Sequence, residues 1–205
     1  MIFLHLGFKN YPEKKLVIQE KNHPQTQLQD EEHMILRSQT DPAAFRPLYE
    51  KYFKRVFLFV LHRVEDKSQA ADLTSQVFLK ALLHIKRFKF RGLPFSSWLF
   101  RIALNECNDY FRKTSRYRMV TVEDKAVTCL YEELTNNSRE EDLRQHLPAI
   151  LQKLTGEELQ LIELRFFEQR PFKEVADIVG ITETYAKVKV YRILQKMKKL
   201  FLKQS

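Results

Sequence analysis

Glycine and proline are scarce in this sequence, and that scarcity is the strongest limit on its fold. The 205 residues include 4 glycines and 7 prolines, about half of the share found in average proteins. Sandwiches and barrels of β-strands need many turn residues, so the sequence predicts an all-α protein with long helices. Glycine-rich phosphate loops are also excluded, because neither G-x-G-x-x-G nor G-x-x-x-x-G-K-[ST] occurs.

The rest of the composition describes a globular, basic chain. Hydrophobic residues make up 44% of it and the formal charge is +9, so a packed core and an anionic partner are both expected. The two cysteines form no C-x-x-C pair, which favours reduced thiols. No apolar run approaches the roughly 18 residues of a membrane span, and the N-terminus lacks a basic signal-peptide start. These features predict a cytoplasmic protein without membrane insertion.

The positive charge is concentrated in two blocks. Residues 41–118 carry 16 basic and 7 acidic side chains, a net charge of +9, and residues 146–205 carry 11 and 7, a net charge of +4. Residues 119–145, between them, carry 3 basic and 7 acidic side chains, a net charge of −4. Two basic surfaces on two modules are typical of a protein that contacts an extended polyanion at two places.

These shifts in charge and pattern predict two helical domains joined by a flexible acidic linker. The linker mixes short apolar pairs with polar residues and ends in the turn-forming Asn136, Asn137 and Ser138. The predicted divisions are an unassigned extension at 1–28, a first module at 29–118, the linker at 119–138 and a second module at 139–205.

Helical spacing of apolar residues and capping residues places the helices of the first module. A short helix is predicted from Asp30 to Ser38, and the next begins near Asp41-Pro42, where Pro47 marks either a kink or the true start. Asp66 or Ser68 caps a third helix. A fourth begins at Ser96 or Ser97.

The stretch FKFRGLPFSSW, residues 88–98, combines aromatic and cationic side chains around a Gly-Leu-Pro break. Phosphates attract lysine and arginine, and an unstacked base gains about 1–3 kcal/mol by stacking on a ring. Aromatic residues on helices are more often core. The loop rings of Phe90 and Phe95 are therefore the better candidates for contact with unpaired nucleic acid.

The second module has the pattern of a helix-turn-helix. Ser138 with Glu141 and Thr155 with Glu158 fit capping boxes, and Pro148 predicts that the first of these helices is broken or kinked. A further helix begins at Pro171 and ends at Gly180, where a positive φ makes the tight turn. Thr182 caps a basic helix that can enter a major groove. Its predicted outward residues are Thr184, Tyr185, Lys187, Val188, Lys189, Tyr191 and Arg192.

Together the two modules resemble the extracytoplasmic-function class of bacterial RNA polymerase sigma factors. DPAAFRPLYEKY, QAADLTSQVFLKA and WLFRIALNECNDYFRK are similar to that family's region two. LTGEELQLIELRFFEQRPFKEVADIVGITETYAKVKVYRILQKM is similar to its region four. The resemblance implies a non-enzymatic subunit without cofactor or metal that binds core polymerase and directs promoter-specific initiation. It also implies an anti-sigma factor as a partner.

The resemblance also implies roles for individual residues. Region two would bind the polymerase β′ clamp through Asp72, Ser75, Gln76 and Lys80. It would read the downstream, minus-ten element through Phe90, Arg91, Phe95, Ser97, Arg101, Asn105 and Arg112. Region four would bind the β flap and read the upstream, minus-thirty-five element through the seven outward residues of its last helix. Ser75, Thr184-Tyr185 and Val188 depart from the residues common in the family.

Three other functions remain open at this point. A polymerase-independent helix-turn-helix regulator explains residues 156–200 but gives residues 88–106 no role. An enzyme is disfavoured because the six histidines (5, 23, 33, 62, 84 and 146) show no metal-ligand spacing. A helical interaction module that binds acidic proteins would use the same basic faces, and DNA footprinting separates it from a sigma factor.

Overall fold

The computed structural model describes residues 24–114, 140–203 and four single residues between them, Thr128, Leu130, Glu133 and Leu134. All regular structure in these residues is helical, which confirms the all-α prediction. None of the described helices is long and apolar enough to cross a membrane. The first module contains α1 (Pro24–Thr40), α2 (Arg46–Val64), α3 (Lys67–His84) and α4 (Phe95–Thr114). The second contains α5 (Glu140–Leu151), α6 (Gly156–Ile162), α7 (Phe172–Val179) and α8 (Glu183–Phe201).

Local capping explains where the first helices begin. The Asp41 side chain accepts a hydrogen bond from the Ala43 N–H and caps a 3₁₀ turn. Helix α2 starts after that turn, so Pro47 lies in its first turn, where its missing N–H is tolerated. Asp66, rather than Ser68, caps α3 by accepting from the Gln69 N–H.

Two helices of the first module are longer than predicted. Helix α1 begins at Pro24 instead of Asp30, within the stretch to which the sequence analysis assigned no structure. Helix α4 begins at Phe95, one residue before the predicted serine caps. Both serines are buried, so their hydroxyls lie inside the fold and not at a solvent-exposed helix start.

The second module confirms one predicted cap and corrects a predicted break. Thr155 and Glu158 form the reciprocal capping box at the start of α6. Helix α5 runs through Pro148, so of the two predicted outcomes the break is wrong, and the kink stays a prediction. The proline lies in the last turn of α5 and is exposed. The predicted Ser138–Glu141 box lies outside the residues whose contacts are described.

The turn of the helix-turn-helix depends on Gly180. Its φ of 76° and ψ of 33° lie in the left-handed region. This turn lets the Ile181 N–H donate to the Ala176 carbonyl at 3.0 Å. Thr182 then caps α8 by accepting from the Tyr185 N–H. These contacts confirm the predicted glycine turn and the cap that follows it.

One hydrophobic cluster runs through both modules. Helices α2, α3 and α4 pack against one another, and α4 also packs against α7 of the second module. Most of the predicted linker lies outside the described residues. Its Leu130 and Leu134, however, belong to the buried cluster. The helices therefore bring the predicted nucleic-acid-binding helix α4 into direct contact with the helix-turn-helix.

The substitution Gly180→Ala is expected to lower the free energy of unfolding by about 1–2 kcal/mol, because a Cβ disfavours the left-handed backbone. No heavy atom lies within 4 Å of a Cβ built there, so the backbone alone sets this cost. Urea denaturation measures it. Gly156→Ala is the control, since Gly156 starts α6 outside the left-handed region and also has open space around it. An equal loss in both variants would contradict this explanation.

Candidate nucleic-acid interface

A cavity of about 180 Å³ lies where the loop after α3 meets the start of α4. The rings of Phe88 and Trp98 meet there, with centroids 4.8 Å apart. Rings surrounded by cations suit an unpaired base and its phosphates. The lining residues are Arg87, Phe88, Lys89, Arg91, Leu93, Pro94, Ser97, Trp98, Arg101 and Asp177.

Phe95 corrects one expectation about the loop. Its ring is fully buried at the start of α4, so the prediction of an exposed loop ring is wrong. Its centroid lies 5.4 Å from that of Phe88 and 5.3 Å from that of Trp98. A ring in this position supports the cavity rings from the core and cannot itself stack on a base.

The other predicted minus-ten residues of the loop and α4 differ in accessibility. Phe90 is half-buried, and Arg91 is exposed beside the cavity. Asn105 and Arg112 are exposed further along α4, where Arg112 pairs with Asp109 at 2.9 Å. These groups are available to a strand that runs along α4 from the cavity.

Ser97 and Arg101 of α4 are engaged by α7. The Ser97 hydroxyl donates to the Glu174 carboxylate at 3.0 Å, and Ser97 is buried. The Arg101 guanidinium pairs with the Asp177 carboxylate at 3.1 Å and also donates to the Asp177 backbone carbonyl. Two of the predicted minus-ten residues are therefore occupied by carboxylates of the second module.

A buried arginine from each module lies at this junction. On α2, Arg63 donates to Glu163 at 2.8 Å, and its guanidinium lies 3.4 Å from the centre of the Phe59 ring. Burial lowers the pKa of Arg63 to about 10, against the raising effect of nearby Glu168. Glu163 belongs to a π-helical segment, Glu163–Phe167, that directly follows α6.

Arg170 is the corresponding arginine of the second module. It donates to Glu174 at 3.1 Å and to the Ser96 hydroxyl at 3.3 Å, and its guanidinium lies 4.2 Å from the centre of the Phe100 ring. Burial lowers its pKa, and the positive charge of Arg55 lowers it further. The side chain thus joins the start of α7 to the first turns of α4.

The predicted upstream-element residues form one accessible face of α8. All of them are exposed except Lys189, which is half-buried. Tyr191 is the most exposed aromatic residue of this face, at 63%. The residues of the face are Thr184, Tyr185, Lys187, Val188, Lys189, Tyr191 and Arg192. The helix therefore presents donors and apolar groups together, as readout in a major groove requires.

The predicted polymerase-binding residues form a second face, on α3. Asp72, Ser75, Gln76 and Lys80 are all exposed, and Lys80 pairs with Glu106 of α4. Two leucines extend this face, Leu79 at 56% exposure and Leu83 at 67%. No sequence signal points to them, because an apolar residue on a helix predicts burial in the core. Exposed leucines beside polar groups are typical of a protein-binding surface.

Comparisons with known proteins identify the family of both modules. The sigma-70 region 2 family matches residues 48–117, and the sigma-70 region 4 family matches residues 150–199. The extracytoplasmic-function sigma factor BldN of Streptomyces coelicolor is 32% identical over 82% of this chain, which spans 64% of BldN. SigM of Bacillus subtilis, named in the same class, is 26% identical over 75% of this chain and 93% of its own length.

The chain belongs to the sigma-70 family. Sigma factors are non-enzymatic transcription initiation factors, which confirms the prediction that the chain is not an enzyme. The fold is similar to that of CnrH in complex with the cytosolic domain of CnrY, with a TM-score of 0.57, 18% identity and coverage of 85% of this chain and 99% of CnrH. It is also similar to RpoE of Bartonella quintana in complex with the anti-sigma factor NepR, with a TM-score of 0.53, 19% identity and coverage of 78% and 96%.

Helix α1 lies outside the matched region two but holds both ends of the aromatic loop. At one end, the Gln39 amide donates to the carbonyls of Ile85 at 3.0 Å and Phe88 at 2.8 Å. At the other, the buried Glu31 carboxylate accepts from the Phe95 N–H at the start of α4. The contacts span 46 to 64 residues along the chain. No local sequence pattern therefore points to them.

Glu31 itself is fixed by two residues of α2. It accepts from the Lys51 ammonium at 2.9 Å and from the Tyr52 hydroxyl. Burial, followed by the charge of Glu31, raises the pKa of Tyr52 and keeps the hydroxyl protonated as a donor. Helices α1 and α2 thus form a rigid support for the first turn of α4.

The substitution Gln39→Ala is expected to loosen the loop, because it leaves the Phe88 carbonyl without its donor at a cost of about 1–3 kcal/mol and leaves the Ile85 carbonyl with the Phe88 N–H alone. Hydrogen exchange at residues 88–94 should accelerate, while exchange in α2 stays unchanged. Thr40→Ala is the control, since the Thr40 hydroxyl bonds only to the Arg37 carbonyl within α1. Equal acceleration in the two variants would show that Gln39 does not hold the loop.

Proposed function

We propose that this sigma factor uses three separate faces during initiation. The α3 face binds the β′ clamp of core RNA polymerase, the cavity and α4 take the minus-ten element as a single strand, and α8 reads the minus-thirty-five element as a duplex. The observation that carries the proposal is the cavity of rings and cations at the start of α4. A polymerase-independent regulator has no use for such a site, because it reads duplex DNA.

The two faces proposed to bind DNA differ in chemistry, because one has to hold an unpaired base and the other has to read a duplex. Extruding a base from a duplex costs a few kcal/mol, which stacking in an aromatic pocket and phosphate contacts can offset. Phe88 and Trp98 supply the rings, and Arg87, Lys89 and Arg91 supply the charges. The α8 face offers Arg192 and Lys187 on a regular helix, suited to base edges in a major groove.

The same proposal includes its partners and its place in the cell. Region four also contacts the β flap, and an anti-sigma factor binds this chain, as one binds the structurally similar RpoE named above. Core polymerase and promoter DNA are found in the bacterial cytoplasm, so we place the protein there.

Transcription with purified core polymerase tests the proposal directly. Core polymerase plus this chain should initiate at defined sites on fragmented genomic DNA, and core polymerase alone should not. Binding of the chain alone to a defined duplex with high affinity, without any initiation, would favour the polymerase-independent regulator.

The substitution Arg192→Ala is expected to cost about 1–3 kcal/mol in binding to the upstream element, with relaxed preference at one base pair. Binding of the reconstituted holoenzyme to a set of single-base promoter variants measures it. Lys199→Ala is the control. Lys199 is also exposed and lies about two turns further along the same side of α8, so its loss should leave sequence preference unchanged. A uniform loss across all variants would make Arg192 a phosphate contact and contradict its role in base reading.

The substitution Leu83→Ser is expected to weaken binding to core polymerase about tenfold, because an apolar side chain buried at an interface contributes about 1.5–3 kcal/mol. Fluorescence anisotropy of the labelled sigma factor measures this affinity. Lys67→Ala, at the exposed start of α3, is the matched control. Unchanged affinity for Leu83→Ser would remove the leucines from the proposed clamp face.

A further inference from the structure

The α8 face proposed to read the upstream element has an apolar side chain at its centre. Successive residues of a helix are rotated by about 100°, so the residues of this face spread over about 200° around α8. Val188 lies in the middle of that spread, while Lys187 and Lys189 lie at its two edges. Val188 is exposed, and its side chain has neither a hydrogen-bond donor nor an acceptor. We propose that Val188 reads the C5-methyl group of a thymine in the upstream element.

Two tyrosines flank Val188 on this face. Tyr185 precedes it by three residues and Tyr191 follows it by three, so they lie about 60° to either side of it around the helix. Both tyrosines are exposed. Their ring carbons and the valine methyl groups therefore form an apolar strip across the middle of the face. Such a strip excludes water from a group that Val188 contacts, which favours burial of a methyl group there.

The lysines at the edges of the face are engaged by carboxylates. Lys187 pairs with Glu183 at 2.7 Å, and Lys189 pairs with Glu157 of α6 at 3.3 Å. Glu183 lies about 140° around α8 from Val188, so its pair with Lys187 draws that ammonium group away from the centre. Solvent-accessible ion pairs contribute little free energy, so DNA phosphates can replace these carboxylates. The centre of the face remains apolar in either case.

Thymine is the base that fits an apolar centre. In the major groove the base pairs present donors, acceptors and one apolar group, the C5-methyl group of thymine. Contact between valine and that methyl group buries apolar surface, which is favourable. Contact with a donor or acceptor of another base instead removes water without supplying a hydrogen bond, which is unfavourable. Val188 therefore favours thymine and also disfavours the other bases at the same position.

The neighbouring Arg192 indicates where this thymine lies. Arg192 follows Val188 by one turn, a distance of about 6 Å along the axis of α8. Successive bases of a DNA strand are about 3.4 Å apart along the duplex. The thymine is therefore expected about two base pairs from the position at which Arg192→Ala relaxes the sequence preference.

The inference rests on one part of the proposed function, the reading of a duplex by α8, and its test can be made with or without polymerase. The full-length chain selects duplexes from a library with about 50 randomised base pairs, roughly five turns of DNA. One selection uses the chain alone and the other uses the holoenzyme reconstituted with core polymerase. Each thymine of the selected site is then replaced singly by uracil, which pairs in the same way but lacks the methyl group. Competition between the thymine and uracil duplexes gives the ratio of their affinities for each protein variant.

Uracil at one thymine position is expected to lower the affinity of the wild-type protein about fourfold, the effect of one buried methyl group. Val188→Ser should bring this ratio close to one, because a hydroxyl group replaces the apolar contact. Val188→Ile keeps an apolar branched side chain and should preserve the ratio. Leu202→Ser is the matched control, since Leu202 is also an exposed aliphatic residue but lies at the C-terminal end of α8. It should retain the full fourfold difference.

Three results would overturn the assignment. In the first, no uracil substitution changes the affinity of the wild-type protein. In the second, the thymine preference persists unchanged in Val188→Ser. In the third, Tyr191→Ala removes the preference and Val188→Ser does not, so that the tyrosine is the reader. The ratio compares two duplexes on the same protein preparation, so a smaller folded fraction in a variant does not alter it.

These results are distinguishable from the fate of the proposed function. If the chain selects a site and shows the Val188-dependent preference but core polymerase does not initiate there, the thymine contact stands and the sigma function fails. If the holoenzyme initiates at the selected site but uracil has no effect, the function stands and the thymine contact fails. Selection of no site in either form would overturn the thymine contact together with duplex reading by α8.

Discussion

The arrangement of the two modules depends on one buried side chain, Arg170, which contacts Phe100, Ser96 and Glu174. Its guanidinium lies over an aromatic ring of α4 and donates to α4 and α7 at once. An ionised side chain in such a place is costly unless its donors are paired. The fold meets that condition only in part, because two of its nitrogen atoms lack partners in the described residues. A junction of this kind fixes the relative position of the two modules but contributes little free energy to holding them together.

The first module is, by contrast, supported from within. Glu31 and Gln39 hold the two ends of the aromatic loop through hydrogen bonds to the backbone. Phe95 packs beneath the loop as part of a fully apolar core. The cavity walls are therefore held from within the first module, and Asp177 is the lining residue that the second module supplies. Preorganised rings and donors are what a site that captures an unpaired base requires, because ordering them during binding would reduce affinity.

Local signals predicted much of this structure. The Thr155–Glu158 capping box and Gly180 act through neighbours within four residues, and the structure confirms both predictions. Asp66 acts in the same way and was one of two predicted caps of α3. The errors have a different origin. The burial of Phe95 depends on the rings of Tyr52 on α2 and of Phe45 in the 3₁₀ turn before α2. The engagement of Ser97 depends on Glu174, 77 residues away. Aromatic residues next to a glycine-proline break look like surface residues until tertiary packing is known.

These contacts show which of the basic groups are accessible and which are paired within the chain. The +9 of residues 41–118 indicated an anionic partner but not how access to it is controlled. Within this structure, the proposed upstream-element residues of α8 are exposed, while Ser97 and Arg101 of α4 contact carboxylates of α7. The surplus of positive charge is therefore divided between an accessible helix face and a cavity where one arginine is already paired within the chain.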